Sequence, residues 1–188
     1  MKLNEISRSS AVHNVLVIDD NSSCKFIKNS FSNFEVKDGL KIHKKNVSFE
    51  KDKWKIIASH DGYLKKYDLS YEREIRFFPK NNELIWIEKL KSKKTISNVK
   101  FNIRFHLNPV TKVMKTQDKK SILIEINTEG WRFTCDNYDI DIDNGLYFGN
   151  KNKYIENQNI LIAGIINKQN IDIKWKLNKI KWAKFEKL

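Results

Sequence analysis

Cysteine, proline and glycine are all scarce in this 188-residue chain, numbering two, two and six. Cys24 and Cys135 are too few for the disulfide framework that holds small secreted domains together. One bridge is open to them, and free thiols are the default expectation. So little glycine and proline excludes collagen-like and low-complexity chains. No apolar run approaches the length of a membrane span. The first six residues carry no apolar core of the kind that drives export. The expectation for the chain as written is a soluble protein without an export address. Acidic side chains are also in the minority, 23 against 36 lysines and arginines, for a formal charge of +13. Such a balance points to a polyanionic partner: nucleic acid, anionic membrane or acidic polysaccharide. Abundant Lys, Asn and Ile together are also what an A- and T-rich coding sequence produces, so charge alone names no partner.

What is present argues for a folded β protein. Hydrophobic residues make up 40% and aromatic residues 12% of the chain, which excludes disorder despite the charge. Val99, Phe101, Ile103, Phe105 and Leu107 alternate with Lys100, Asn102, Arg104 and His106, the signature of a half-buried antiparallel strand. Ile171, Ile173, Trp175 and Leu177 repeat the pattern against Asp172, Lys174 and Lys176. Residues 54–60, 72–78, 84–90, 122–126 and 131–133 read as further strands, each bounded by turn residues. Residues 159–166 form an almost continuous apolar run, expected to be a strand covered on both faces. Between residues 25 and 49, Phe26, Phe31, Phe34 and Val36 are the expected inward positions. No amphipathic helix, internal repeat or linker interrupts the series. The expected fold is all-β, an antiparallel β-sandwich spanning residues 1–188 as one domain.

Chemistry-bearing residues are few. Residues 15–18 read as a short strand closed by Asp19-Asp20-Asn21-Ser22-Ser23, which puts His13-Asn14 at a strand mouth where a scaffold can aim a side chain. A histidine there is most often a structural hydrogen-bonder. His60-Asp61 offers a His–carboxylate pair, or a turn stabilised by Asp61 and Gly62. His43 lies in a lysine cluster and is expected to be solvated. Asp139-Ile140-Asp141-Ile142-Asp143-Asn144-Gly145 carries alternate carboxylates, but its glycine comes one place late for a calcium loop and Asn150 stands where a glutamate would close it. A strand with an acidic outer stripe is the better reading. Zinc-type Cys/His spacing, a phosphate-cradling glycine loop and a Gly-x-Ser-x-Gly elbow are all absent from the sequence. No complete active site can be assembled from these residues.

The motifs in order, however, resemble a known family. Arg8-Ser9-Ser10-Ala11, His13-Asn14 and Ile18-Asp19-Asp20 are followed by Ser59-His60-Asp61-Gly62-Tyr63 and Arg73-Glu74-Ile75. Ile103-Arg104-Phe105-His106-Leu107-Asn108-Pro109, Gly130-Trp131-Arg132-Phe133, Leu146-Tyr147-Phe148-Gly149, Asn157-Gln158-Asn159-Ile160 and Trp175-Lys176-Leu177 complete the series. This order is similar to the C-terminal β-sandwich of heparinase II/III-like polysaccharide lyases.

The resemblance implies an enzyme that cleaves acidic, uronate-containing polysaccharides by β-elimination. Such chemistry neutralises a carboxylate, removes the adjacent proton with a base and protonates the leaving oxygen. It implies an N-terminal helical toroid that supplies catalytic groups, a periplasmic or cell-envelope location, and no nucleic-acid partner. In metal-containing members a divalent, zinc-like ion is held by two histidines and an aspartate. The last histidine falls in the motif matched here by His13, while Arg8 and Asn14 would position it or contact sugar. Twelve residues precede His13, and the other two ligands come from segments upstream of the motif. The chain is therefore expected to be a C-terminal portion, short of its first strands and its toroid, with one of three metal ligands and no lyase activity alone. Asn108 stands where members often carry another histidine. A non-catalytic module for acidic glycans is the second expectation.

Overall fold

The structure is a computed structural model that describes residues 3–31, 33–150 and 153–181. After two helical turns, Leu3–Ile6 and Ser10–Val12, the chain runs through β1 (Leu16–Ile18), β2 (Lys25–Lys28), β3 (Phe34–Asp38), β4 (Ile42–Glu50) and β5 (Lys53–His60). A helical turn at Leu64–Tyr67 leads to β6 (Leu69–Phe78), β7 (Glu83–Ser92), β8 (Val99–His106) and β9 (Lys112–Lys115). The series ends with β10 (Ser121–Ile126), β11 (Glu129–Cys135), β12 (Ile140–Asn150), β13 (Lys153–Ile166) and β14 (Asn170–Ile180).

Every pairing is antiparallel. A four-stranded sheet has the order β1-β8-β13-β12, and an eight-stranded sheet the order β4-β5-β6-β7-β14-β11-β10-β9. The fold is thus the expected all-β sandwich. Its core takes Leu16, Ile18, Phe101, Ile103, Phe105, Ile160 and Ile162 from the smaller sheet. Leu90, Ile122, Ile124, Phe133, Ile173 and Trp175 come from the larger. Phe105 bridges the layers, its ring 5.0 Å from Phe133 and 4.4 Å from Trp175. The period-two patterns of β8 and β14 are what make this possible, because alternate residues share a face.

The smaller sheet covers only part of the larger one. Directly paired residues share a face, and Ile56↔Ile75, Ile75↔Trp86 and Trp86↔Trp175 are direct pairs. The core face therefore continues past Trp86 into Ile75, Ile56, Phe77, Trp54 and Phe49. There it opens as an apolar trough of about 320 Å³, with Phe49 70% exposed. Between the covered and uncovered halves stands a buried ion pair. Arg73 Nη2 lies 2.6 Å from Glu88 Oε1, Glu88 is 0% exposed, and Tyr71 donates its hydroxyl to the same carboxylate.

Two sequence expectations are corrected. β13 is covered on both faces only around Asn159 and Ile160; Ala163 is exposed and Ile165 is 50% exposed. Phe31 and Val36 are not inward but 83% and 51% exposed, because β2 and β3 form a separate two-stranded sheet outside both larger ones. His43 is exposed as expected, and its Nε2 also lies 3.3 Å from Asp61 Oδ2. The acidic stretch does form part of a strand, β12, with Asp141 and Asp143 paired to Lys115 and Arg104. Cys24 and Cys135 are free thiols, both pushed up in pKa by burial.

Candidate functional site

Residues 7–14 form a strap across the outer face of the smaller sheet. It is pinned at several points. The Ser10 amide donates to Ser22 Oγ at 2.9 Å, and the Ser23 amide donates to Ser10 Oγ at 3.2 Å. Arg73 Nη1 donates to the Asn14 carbonyl at 2.8 Å, which ties the strap to the buried Arg73–Glu88 pair. Asn14 Oδ1 accepts the His106 amide at 2.8 Å. His106 Nε2 lies 3.1 Å from the Ala11 carbonyl. A carbonyl can only accept, so Nε2 carries the proton in this arrangement and Nδ1 the lone pair.

These contacts open a small groove of about 230 Å³ between the strap and β12, lined by His13, His106, Val12 and Tyr147 among others. His13 is exposed at its rim, with Nε2 3.2 Å from the Ser7 carbonyl, which leaves Nδ1 as its acceptor. His106 is half-buried. Burial lowers its pKa, and Arg104 and the nearby His13 lower it further, against hydrogen bonds to the Ala11 carbonyl and the Asn159 side chain. Its Nδ1 is sealed from solvent. Directly across the ladder stands Asn159, 1% exposed, and beside it Asn157, 6% exposed. Asn157 Nδ2 donates to the Leu107 carbonyl at 2.7 Å and to Asn159 Oδ1 at 3.3 Å. Gly145 makes room for this pair, since a Cβ there would lie 2.1 Å from Asn159 Nδ2.

The arrangement sets one exposed imidazole and one half-buried imidazole in a groove that Tyr147 also lines. That is proton-transfer chemistry in kind, since each ring has one donor and one acceptor. Of the three site residues expected from sequence, His13 lines the groove, and Asn14 lies outside its lining, binding the His106 amide and Arg73. Arg8 turns elsewhere, its guanidinium 4.6 Å above the Phe34 ring of β3. His60 does not pair with Asp61: its Nδ1 accepts the Gly62 amide at 3.1 Å. Asp61 instead accepts the Lys41 amide at 2.7 Å, which with His43 holds its carboxyl below the usual range. Sequence reasoning gave no site role to His106, Tyr147, Asn157 or Asn159. The available signal was two asparagines set against an apolar strand, where a buried amide needs a reason.

The family model described as heparinase II/III-like, C-terminal, matches residues 1–176. The chain belongs to the heparinase II/III-like C-terminal family. Among solved structures, it is similar to a heparan sulfate lyase, HepC from Pedobacter heparinus, at a TM-score of 0.75 and 12% identity. That match covers 98% of this chain and 26% of the lyase. A crystal structure of heparinase III is similar at a TM-score of 0.59 and 14% identity, covering 89% of this chain and 23% of that one. At such identities the likeness shows the fold. The chain spans about a quarter of the length of these structures. No curated protein sequence matches it.

For this heparinase II/III-like sandwich, the metal implied by the resemblance can be tested against the residues present. Among the described residues no three of His, Cys, Asp and Glu come together as a donor set. His13 is a single donor with its Nε2 engaged by Ser7. These residues do not by themselves fit a divalent-metal centre. No helix among the described residues is long and apolar enough to cross a membrane.

Proposed function

We propose that this chain forms the sandwich wall of a polysaccharide lyase cleft acting on acidic, uronate-containing polysaccharides by β-elimination, in the periplasm or cell envelope. The observation that carries the reading is the groove at the strap, lined by His13 and His106 within a heparinase II/III-like fold, with Asn14 holding the strap to the His106 amide. His13 stands at the rim to accept or relay a proton, or to give one donor of a metal set completed from outside the chain. Asn14 fixes the strap to β8. Arg8, stacked on Phe34, would meet sugar only along the β2–β3 side of the strap. The helical toroid that the family resemblance implies supplies the remaining catalytic groups, so the isolated chain is inactive.

The test is the formation of unsaturated uronate ends from heparan sulfate or another uronate polymer. The purified 188-residue chain is expected to give none, and a protein joining it to the helical portion is expected to give product. Product from the isolated chain would overturn the division of labour. No product from the joined protein on any uronate polymer would overturn the lyase reading.

A further inference from the structure

A second concavity, larger and strongly basic, is linked to the strap through Ser10. It lies between residues 21–25, the Lys37 and Gly39 end of the β2–β3 hairpin, and residues 61–67. Its volume of about 810 Å³ falls within the ~300–1,000 Å³ of ligand clefts. Gly62 permits its walls to meet: a Cβ there would lie 2.4 Å from the Ser23 carbonyl oxygen. Any other residue would push the two walls apart. Hydrogen bonds then fix them. Lys66 Nζ donates to Asn21 Oδ1 at 2.7 Å, Asn21 Nδ2 donates to the Tyr67 hydroxyl at 2.7 Å, and Tyr63 donates to the Leu16 carbonyl at 2.8 Å.

The charge of this groove is one-sided. Lys25, Lys37, Lys65 and Lys66 line it, against one carboxylate, Asp61, among the described residues. Asp61 is already engaged by the Lys41 amide and by His43. Lys25, Lys37 and Lys65 are exposed and take part in none of the ion pairs among the described residues. Some lysines elsewhere are neutralised, as where Lys44, Lys55 and Lys89 surround Glu72 and Glu74. Ser22 and Ser23 add hydroxyl groups to the lining. Cations without counterions beside short polar groups suit an anionic sugar.

We propose that this groove is a binding subsite for the sulfate or carboxylate groups of an acidic oligosaccharide, separate from the His13 groove. The identity of the ligand rests on the acidic-polysaccharide reading above; the anion site itself rests on the lysines. A heparin tetrasaccharide would be titrated into the 188-residue chain at low salt, following affinity by calorimetry and the backbone amides by NMR. The triple variant Lys25→Gln, Lys37→Gln, Lys65→Gln is expected to weaken binding about 5- to 20-fold, as three exposed ion pairs would. The amides of residues 21–25 and 61–67 are expected to shift in the unsubstituted chain. Three remote lysines, Lys51, Lys120 and Lys168, changed to Gln should leave affinity within about twofold, and Lys→Arg at the three groove positions should retain it.

Equal weakening by the remote triple, unchanged affinity of the groove triple, or no binding at all would each overturn the subsite. None of these would touch the lyase reading, which is judged on product formation by the joined protein. Conversely, a joined protein without lyase activity whose groove still binds the tetrasaccharide would leave the subsite standing and favour a glycan-binding module.

Discussion

His13 and His106 line the same groove in opposite surroundings. His13 is exposed at the rim, while His106 is held under the strap with its Nδ1 buried. The lowered pKa of His106, and that of His60, where burial is again the first cause, set a sign for stability. Each ring binds a proton more readily in the unfolded chain than in the native one, so stability rises with pH across that range. Unfolding free energy is expected to fall as pH drops from about 7.5 through the ordinary histidine pKa of ~6.5 toward 5. His106→Gln should flatten the slope, and urea titrations at several pH values would show it. A slope of opposite sign would refute the buried neutral ring. Glu74 acts in a lower window. Burial opposes its ionisation, but hydrogen bonds from Arg76 and Lys89 prevail and bring its pKa to about 2. Its contribution, present above the unfolded carboxylate pKa, is lost as pH falls from about 4.5 toward 2.

Two further residues test the packing around the groove. Gly145→Ala sets a methyl against the buried Asn159 amide, and is expected to cost about 1–3 kcal/mol as overpacking does. Arg73→Met leaves Glu88 fully buried without its cation, for which about 3–5 kcal/mol is the usual loss. That substitution also frees the Asn14 carbonyl, so strap amides should exchange faster in Arg73→Met. Unchanged strap exchange would show that the strap holds without Arg73. His13 itself was legible in sequence through its motif. His106 was not, because Asn14 reaches it across 92 positions and only the closed sheet brings them together.

At the level of elements, β8 and β14 could be read almost residue by residue, since a face packed on a core leaves a period of two. β2 and β3 could not. They form a separate two-stranded sheet outside the core, so Val36 on β3 and Phe31 in the turn before it are apolar without being inside. β4 and β5 show the same limit in a larger sheet: alternation tells which face is apolar, but not whether another layer lies on it. Phe49 and Trp54 therefore stand on the core face and yet in solvent. Phe49→Ser is expected to change unfolding free energy by less than about 1 kcal/mol, as exposed substitutions do. It should also reduce binding of an apolar fluorescent dye. A loss of several kcal/mol would mean that the trough is closed in solution.

The whole molecule is a sandwich with residues 7–14 pinned against β8 and the Ser22–Ser23 turn. The order of motifs along the chain was enough to give the family and fold, with some motifs at turns, such as Ser59-His60-Asp61-Gly62-Tyr63, and others inside strands, such as Arg73-Glu74-Ile75 of β6. The grooves were hidden, because their walls join residues from the first 40 positions to residues 61–67 in one case and to β8 and β12 in the other. We propose that the strap groove belongs to the catalytic cleft of the complete lyase. The direct measurement is the rate of unsaturated uronate formation by the protein that joins this chain to a helical portion, with His13→Ala set against His43→Ala. A loss of about 100-fold or more is expected for His13→Ala, the scale of a lost proton-transfer group, and near-unchanged turnover for His43→Ala. Full activity in His13→Ala would contradict it.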